Sequence, residues 1–90
     1  MNERAGYEVM ILRPAKKSLQ HFHPKIRRQI YDKLQLLRGN PRPQDVKSLR
    51  GDIGYRVDSG EYRILYEIND AARRVIVRVI KHRKDAYRNL

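Results

Sequence analysis

Three features of this 90-residue chain predict an α+β domain. Two runs alternating in period two flank Ser59-Gly60, a helical four-four-three spacing of apolar residues runs from Ile26 to Leu37, and a β-branched run covers 73–80. Together they predict an N-terminal strand, a two-helix hairpin, then antiparallel strands forming a curved sheet, and a short basic C-terminal tail or helix. The domain spans residues 1–90.

Taken in order, Tyr7 to Leu12 is mostly apolar and reads as a first strand, ended by Arg13-Pro14. Pro14 suits the opening of a helix, where its missing N–H costs nothing. That helix covers Ala15 to Phe22 and buries Leu19 and Phe22. His23-Pro24 breaks it and starts a second, Lys25 to Arg38, whose buried stripe is Ile26, Ile30, Leu34 and Leu37 with Tyr31 alongside. Gly39 stands where a C-terminal cap is expected. Residues 40–45 form a loop by composition. Val46 to Leu49 lead into the central hairpin, with Leu49 as the apolar anchor.

A two-residue turn at Ser59-Gly60 sets a register by counting outward. Asp58 then faces Glu61, Val57 faces Tyr62, Arg56 faces Arg63 and Tyr55 faces Ile64. Alternation assigns Tyr55, Val57, Tyr62, Ile64 and Tyr66 to the core face, and Arg56, Asp58, Glu61, Arg63 and Leu65 to the other. Two arginines directly opposite each other repel by some tenths of a kcal/mol, up to about 1. Either Asp58 and Glu61 neutralise them diagonally, or the two guanidinium groups await a phosphate. In the last strand, Arg73 to Ile80, Val75, Val77 and Val79 share one face and Arg74, Ile76, Arg78 and Ile80 the other.

The formal net charge is +11, with arginine outnumbering lysine two to one. Such a balance points to nucleic acid or an acidic protein as partner. The absence of cysteine rules out disulfides and thiolate metal sites and fits a reducing cytoplasm. No apolar run approaches the roughly 20 residues of a membrane span, and the first residues lack the apolar core of a signal peptide. No membrane partner is expected. No Gly-rich phosphate loop is present, since Gly51 and Gly54 precede no helix. No carboxylate cluster has metal-ligand spacing, and His21 and His23 point apart on a helix, so neither metal nor cofactor is expected.

What remains is His82-Arg83-Lys84-Asp85-Ala86-Tyr87-Arg88. A basic aromatic tail is often only a solvated end. Yet His82 and Tyr87 are capable of proton transfer and sit beside Arg83, and with Arg56 and Arg63 they could surround one phosphodiester.

The set Leu49-x-Gly51, Tyr55-Arg56-Val57, Gly60-Glu61-Tyr62-Arg63-Ile64-Leu65-Tyr66 and His82-Arg83-x-x-x-Tyr87 resembles the RelE/ParE toxin superfamily, as does the order of elements across nearly the whole chain. The resemblance implies a RelE-like fold and the toxin of a type II toxin–antitoxin pair. It implies a metal-independent endoribonuclease that cuts messenger RNA in the ribosomal A site, acting in the cytoplasm. The implied partners are a RelB-like antitoxin, ribosome-bound mRNA and rRNA. A ParE-like poison of DNA gyrase and a non-catalytic nucleic-acid-binding member are the alternatives. Carried over by position, Arg63 and Arg83 stabilise the transition-state phosphate, Arg83 also serving a leaving oxygen, and Tyr87 stacks on or orients the substrate or acts as base. His82 falls where basic or acid–base residues occur. Arg56 and Asp58 stand where well-studied RNases of the family carry lysines. An arginine effectively cannot lose its proton, so Arg56 would act as a fixed charge.

Overall fold

Alternation along one long strand decides this architecture, and the helices cover whichever face that strand turns inward. The computed structural model describes residues 6–52 and 54–88, and the side-chain surroundings of all of these but 52 and 86–88. The elements are β1 (Glu8–Ile11), α1 (Arg13–His21), α2 (Pro24–Gly39), β2 (Lys47–Ser48), a 3-10 turn (Arg50–Asp52), β3 (Tyr55–Ser59), β4 (Tyr62–Asn69), β5 (Arg74–His82) and α3 (Arg83–Arg88). The five strands form one sheet in the order β1-β5-β4-β3-β2. β1 runs parallel to β5, the chain between them passing through both helices and then β2, β3 and β4, and the other pairings are antiparallel. The expected α+β class and element order hold.

The helices begin and end for local reasons. Pro14 and Pro24 both lie in first turns, and the His23 ring caps α2 by accepting a hydrogen bond from the Lys25 N–H at 3.1 Å. His21 bonds the Lys17 carbonyl at 2.9 Å in the last turn of α1. Each of these histidines is thus engaged with its own helix end. Gly39 stays inside α2, and extended Asn40 takes the C-cap instead, its N–H donating to the Leu36 carbonyl at 3.1 Å. Ala15 and Leu19 of α1 and Ile30, Leu34 and Leu37 of α2 pack on Val57, Ile64, Tyr66, Val75, Val77 and Ile80.

The hairpin keeps its expected faces but not its expected pairs. Gly60 and Glu61 form the two-residue loop, so Ser59 pairs with Tyr62, Asp58 with Arg63, Val57 with Ile64, Arg56 with Leu65 and Tyr55 with Tyr66. Glycine at positive φ (61°) comes first in this loop, which suits a hairpin turn whose first central residue needs that conformation. Moving the turn by one residue shifts every pair diagonally by two positions in sum, so parity, and with it the core face, is preserved. The arginine–arginine clash does not occur.

The face assignment of β5 fails beyond Val77. A bulge between Leu65 and Tyr66 pairs them with Val79 and Val77, leaving Arg78 as the extra residue. The alternation therefore slips, and Ile80, not Val79, joins Val75 and Val77 in the core. β5 also runs two residues further than expected, taking in Lys81 and His82.

Gly54 marks a close approach of two strands. Its φ is 133°, and a Cβ there would meet the Tyr66 carbonyl oxygen at 2.6 Å. On the other side of this corner, Arg42 forks onto Asp70 with contacts of 2.9 and 3.2 Å, and the Tyr7 hydroxyl donates to Asp70 at 2.7 Å. Arg42 also lies over the Tyr55 ring. This clasp ties the start of β1, the 40–46 loop, β3 and the β4–β5 turn together.

Tyr66 is 1% exposed, and its hydroxyl donates to the Pro41 carbonyl at 2.6 Å. Tyr66→Ala is expected to destabilise the fold by about 3–5 kcal/mol. Tyr66→Phe, which strands the Pro41 carbonyl, is expected to cost about 1–3 kcal/mol. Urea unfolding measures both, and a Phe variant as stable as the parent would remove the hydroxyl from the account. The clasp carries its own pH signature. Hydrogen bonds from Arg42 and then Tyr7 hold the Asp70 carboxyl below the usual range, and the bond to Asp70 raises the Tyr7 hydroxyl above its own. A lowered carboxyl stabilises above its unfolded pKa of about 4, and a raised phenol stabilises below its unfolded pKa of about 10. The gap in urea midpoint between the parent and Asp70→Asn should therefore be flat between those limits. It should narrow below the first and above the second, and a gap independent of pH would contradict this.

Candidate nucleic-acid interface

The bulge and the hairpin register decide which charges share the face of the sheet turned away from α1 and α2. On β4, Arg63 points opposite to Ile64, and its cross-strand neighbours are Asp58 on β3 and Lys81 on β5. Arg56 lies diagonal to Arg63, at a spacing of roughly 7–8 Å for such neighbours, and is itself opposite Lys47 on β2. Four cations, Lys47, Arg56, Arg63 and Lys81, therefore cluster on the open face with Asp58 among them.

Their settings differ in a way that matters chemically. Arg63 is a charged residue in the core of the sheet, only 7% exposed, with its Nε 3.4 Å from the Asp58 carboxylate. Burial of this kind fixes the guanidinium on a rigid strand paired on both sides. Asp58 is half exposed, and with Asp45, Lys47, Val57 and Arg56 it lines a shallow cavity of about 180 Å³. Asp45 is drawn aside by Lys33 at 3.0 Å, a contact that holds its carboxyl below the usual range.

Like-charge neighbours such as Lys47–Arg56 and Arg63–Lys81 each oppose folding by some tenths of a kcal/mol, up to about 1. A surface that keeps them together has a strong positive potential, suited to a phosphate backbone. The larger groove, about 790 Å³, lies elsewhere, between β1 and α2, and is lined by Val9, Ile11, Tyr31, Leu34 and others. It holds none of the expected site residues.

The tail divides between the two faces. His82 pairs with Tyr62 and shares its side of the sheet, the helix side, where its ring meets Tyr62 edge-on at 5.2 Å and Tyr62 in turn packs on Phe22 at 4.7 Å. Both ring nitrogens are engaged. Nε2 lies 2.9 Å from Glu61 Oε1, and Nδ1 accepts from the Lys84 N–H at 3.1 Å, capping α3. The structure thus sets His82 apart from Arg56 and Arg63, in a position that secures α3. Arg83 opens α3, exposed, with its backbone N–H donating to the Glu61 carbonyl at 2.8 Å. Tyr87 falls on α3, but its side chain lies outside the described residues. α3 packs on β4 and β5, the strands that carry Arg63 and Lys81.

Lys47 and Lys81 escaped the sequence reading. Lys47 sits on a two-residue edge strand without periodicity to announce it. Lys81 appears beside Arg63 only after the bulge resets the faces of β5.

Comparison with known proteins places the fold in a family. Residues 9–86 match the family model of the ParE toxin of the type II parDE toxin–antitoxin system. A Methanocaldococcus jannaschii protein carrying the toxin name RelE1 is 32% identical over 87 residues, covering 92% of this chain and 97% of its own length. The RelE–RelB complex of Pyrococcus horikoshii contains a chain that superposes with a TM-score of 0.76 at 28% identity, covering 86% of this chain and 94% of that one. The RelBE2 toxin–antitoxin complex of Mycobacterium tuberculosis gives 0.76 at 25% identity, over 86% and 98%. With the matched model spanning most of the sequence, this chain belongs to the RelE/ParE superfamily and is a toxin of a type II toxin–antitoxin system.

Proposed function

We propose that this toxin is an endoribonuclease that cuts messenger RNA on the ribosome, in the cytoplasm, without a metal. The observation that carries the reading is the nearly buried Arg63 on the open face, flanked by Arg56 and Lys81. RNA breaks when its 2′-OH attacks the adjacent phosphorus and the 5′-oxygen leaves. The phosphorane-like transition state carries more negative charge than the ground state, and preorganised guanidinium groups stabilise that difference. Arg63 is the fixed fork in this scheme, Arg56 a second fixed charge, Arg83 a third brought by α3, and Tyr87 the group that stacks on or orients the substrate. His82 serves by holding α3 in place. A site made mainly of cations positions a phosphate better than it bends a chain, which fits dependence on the ribosome, with its rRNA, to present the message.

The archaeal and mycobacterial relatives are seen in complexes with RelB. For this chain, at +11, a RelB-like antitoxin with an acidic segment that folds on binding would cover a large surface despite its ordering cost. A gyrase-poisoning function is the second reading, favoured by the ParE description of the matched family model. It requires none of Arg63, Arg83 and Tyr87.

Primer extension on a translated message after brief induction separates the two. The RNase reading expects new 5′ ends within codons, retained in excess EDTA wherever the ribosome stays intact, and lost in Arg83→Ala. Because Arg83 is exposed, that variant should keep its thermal midpoint within about 2–4 °C of the parent. Growth arrest with gyrase-linked DNA breaks and no new RNA ends would overturn the reading.

A further inference from the structure

Cleavage by a 2′-OH needs a group that takes a proton, and the cations of the open face are ill-suited to that. Arginine effectively does not deprotonate, so neither Arg56 nor Arg63 can serve. A lysine of this face, Lys47 or Lys81, must lose an ammonium proton before it can accept one, and among the described residues the carboxylates near Arg63 other than Asp58 are turned to other partners. Asp45 is held by Lys33, Glu67 is paired with Arg78 at 3.4 Å, and Glu61 and His82 hold each other on the turn and the helix side. Asp58 is different. It faces Arg63 directly across the β3–β4 ladder and is 49% exposed, so substrate can reach it. It also lines the cavity that contains Lys47 and Arg56. A phosphate held between Arg56 and Arg63 would lie within a side chain's reach of this carboxylate, which sits beside both arginines.

We infer that Asp58 is the general base of the cleavage, taking the proton from the attacking 2′-oxygen while Arg63 holds both the carboxylate and the scissile phosphate. The inference rests on the RNase reading above. The step balances as follows. The 2′-oxygen forms its bond to phosphorus as its proton passes to the Asp58 carboxylate. The bond from phosphorus to the 5′-oxygen breaks, and the departing oxygen takes a proton from water. Protonated Asp58 returns its proton to the hydroxide so formed. The products are a 2′,3′-cyclic phosphate and a 5′-hydroxyl end. The Nε contact at 3.4 Å orients the carboxylate without enclosing it, so a residue that offsets the charge of Arg63 can also serve as proton acceptor.

The opposite role is equally definite: a carboxylate that only competes with phosphate for Arg63 would slow the enzyme. Single-turnover cleavage of a ribosome-bound message distinguishes them, using the parent, Asp58→Asn and Asp58→Glu. A general base contributes roughly 10²–10⁴-fold, so Asp58→Asn should lose about 100-fold or more in rate. Asp58→Glu, which keeps a carboxylate one methylene further out, should retain part of it. A message with a single 2′-deoxy nucleotide at the scissile position, uncleavable if the 2′-OH is the nucleophile, measures binding alone. Asp58→Asn should bind that complex at least as tightly as the parent does, because a negative charge has been removed. Wild-type or faster cleavage by Asp58→Asn would overturn the inference, as would a loss residing in binding or in an unfolded protein. Failure of the parent itself to cleave ribosome-bound message would instead overturn the RNase reading, and the inference with it.

Discussion

One irregularity in the β4–β5 ladder decides how this toxin distributes its charge. The bulge opposite Leu65 and Tyr66 inserts Arg78 and lets both Val77 and Ile80 face the helices. Without it, strict alternation after Val77 would turn Val79 and Lys81 inward and Ile80 and His82 outward. With it, Lys81 reaches the open face beside Arg63, and His82 goes to the helix side, where it meets Tyr62 and caps α3. The core gains an isoleucine and avoids a buried lysine, a choice that desolvation alone would enforce. The partition of the C-terminal residues between a basic face and a structural contact thus follows from a packing requirement some residues upstream.

The open face shows the opposite priority. Lys47 opposite Arg56 and Lys81 beside Arg63 are pairings that stability alone would not select, and Asp58 offsets only part of the repulsion. Arg63 is the extreme case, a guanidinium almost sealed into a sheet and held against a carboxylate. Such a cation has little freedom left to lose when a phosphate arrives, which is how preorganisation lowers the cost of binding and of reaching a charged transition state. The Arg42–Asp70–Tyr7 clasp works at the far end of the same sheet, where an exposed ion pair can hold strand ends together without competing for that phosphate.

Much of this was legible in the residues. The α+β class, the helical hairpin with its Ile30, Leu34 and Leu37 stripe, and the core face of the central hairpin follow from periods of 3.6 and 2. The hairpin pairing did not follow, because Ser59-Gly60 and Gly60-Glu61 are both acceptable two-residue turns and differ only in which residue takes the positive φ. The consequence was a supposed Arg56–Arg63 clash where the protein has an Asp58–Arg63 ion pair. The end of β5 was illegible for another reason. Val75 to Ile80 is apolar or β-branched at nearly every position, so its pattern does not reveal a slipped face, and only tertiary packing chooses Ile80 over Val79. His82 was grouped with the arginines because sequence distance hides which side of a strand a residue occupies.

The central claim is that the open face of the sheet, around Arg63, is where the scissile phosphate sits. The most direct measurement is a cryo-EM structure of this protein on a ribosome programmed with a message blocked at the scissile 2′-position. The account predicts the phosphate between Arg63 and Arg56, with the blocked 2′-position turned toward Asp58. RNA lying instead along the helices, or against the Phe22–Tyr62–His82 side with the open face empty, would contradict it.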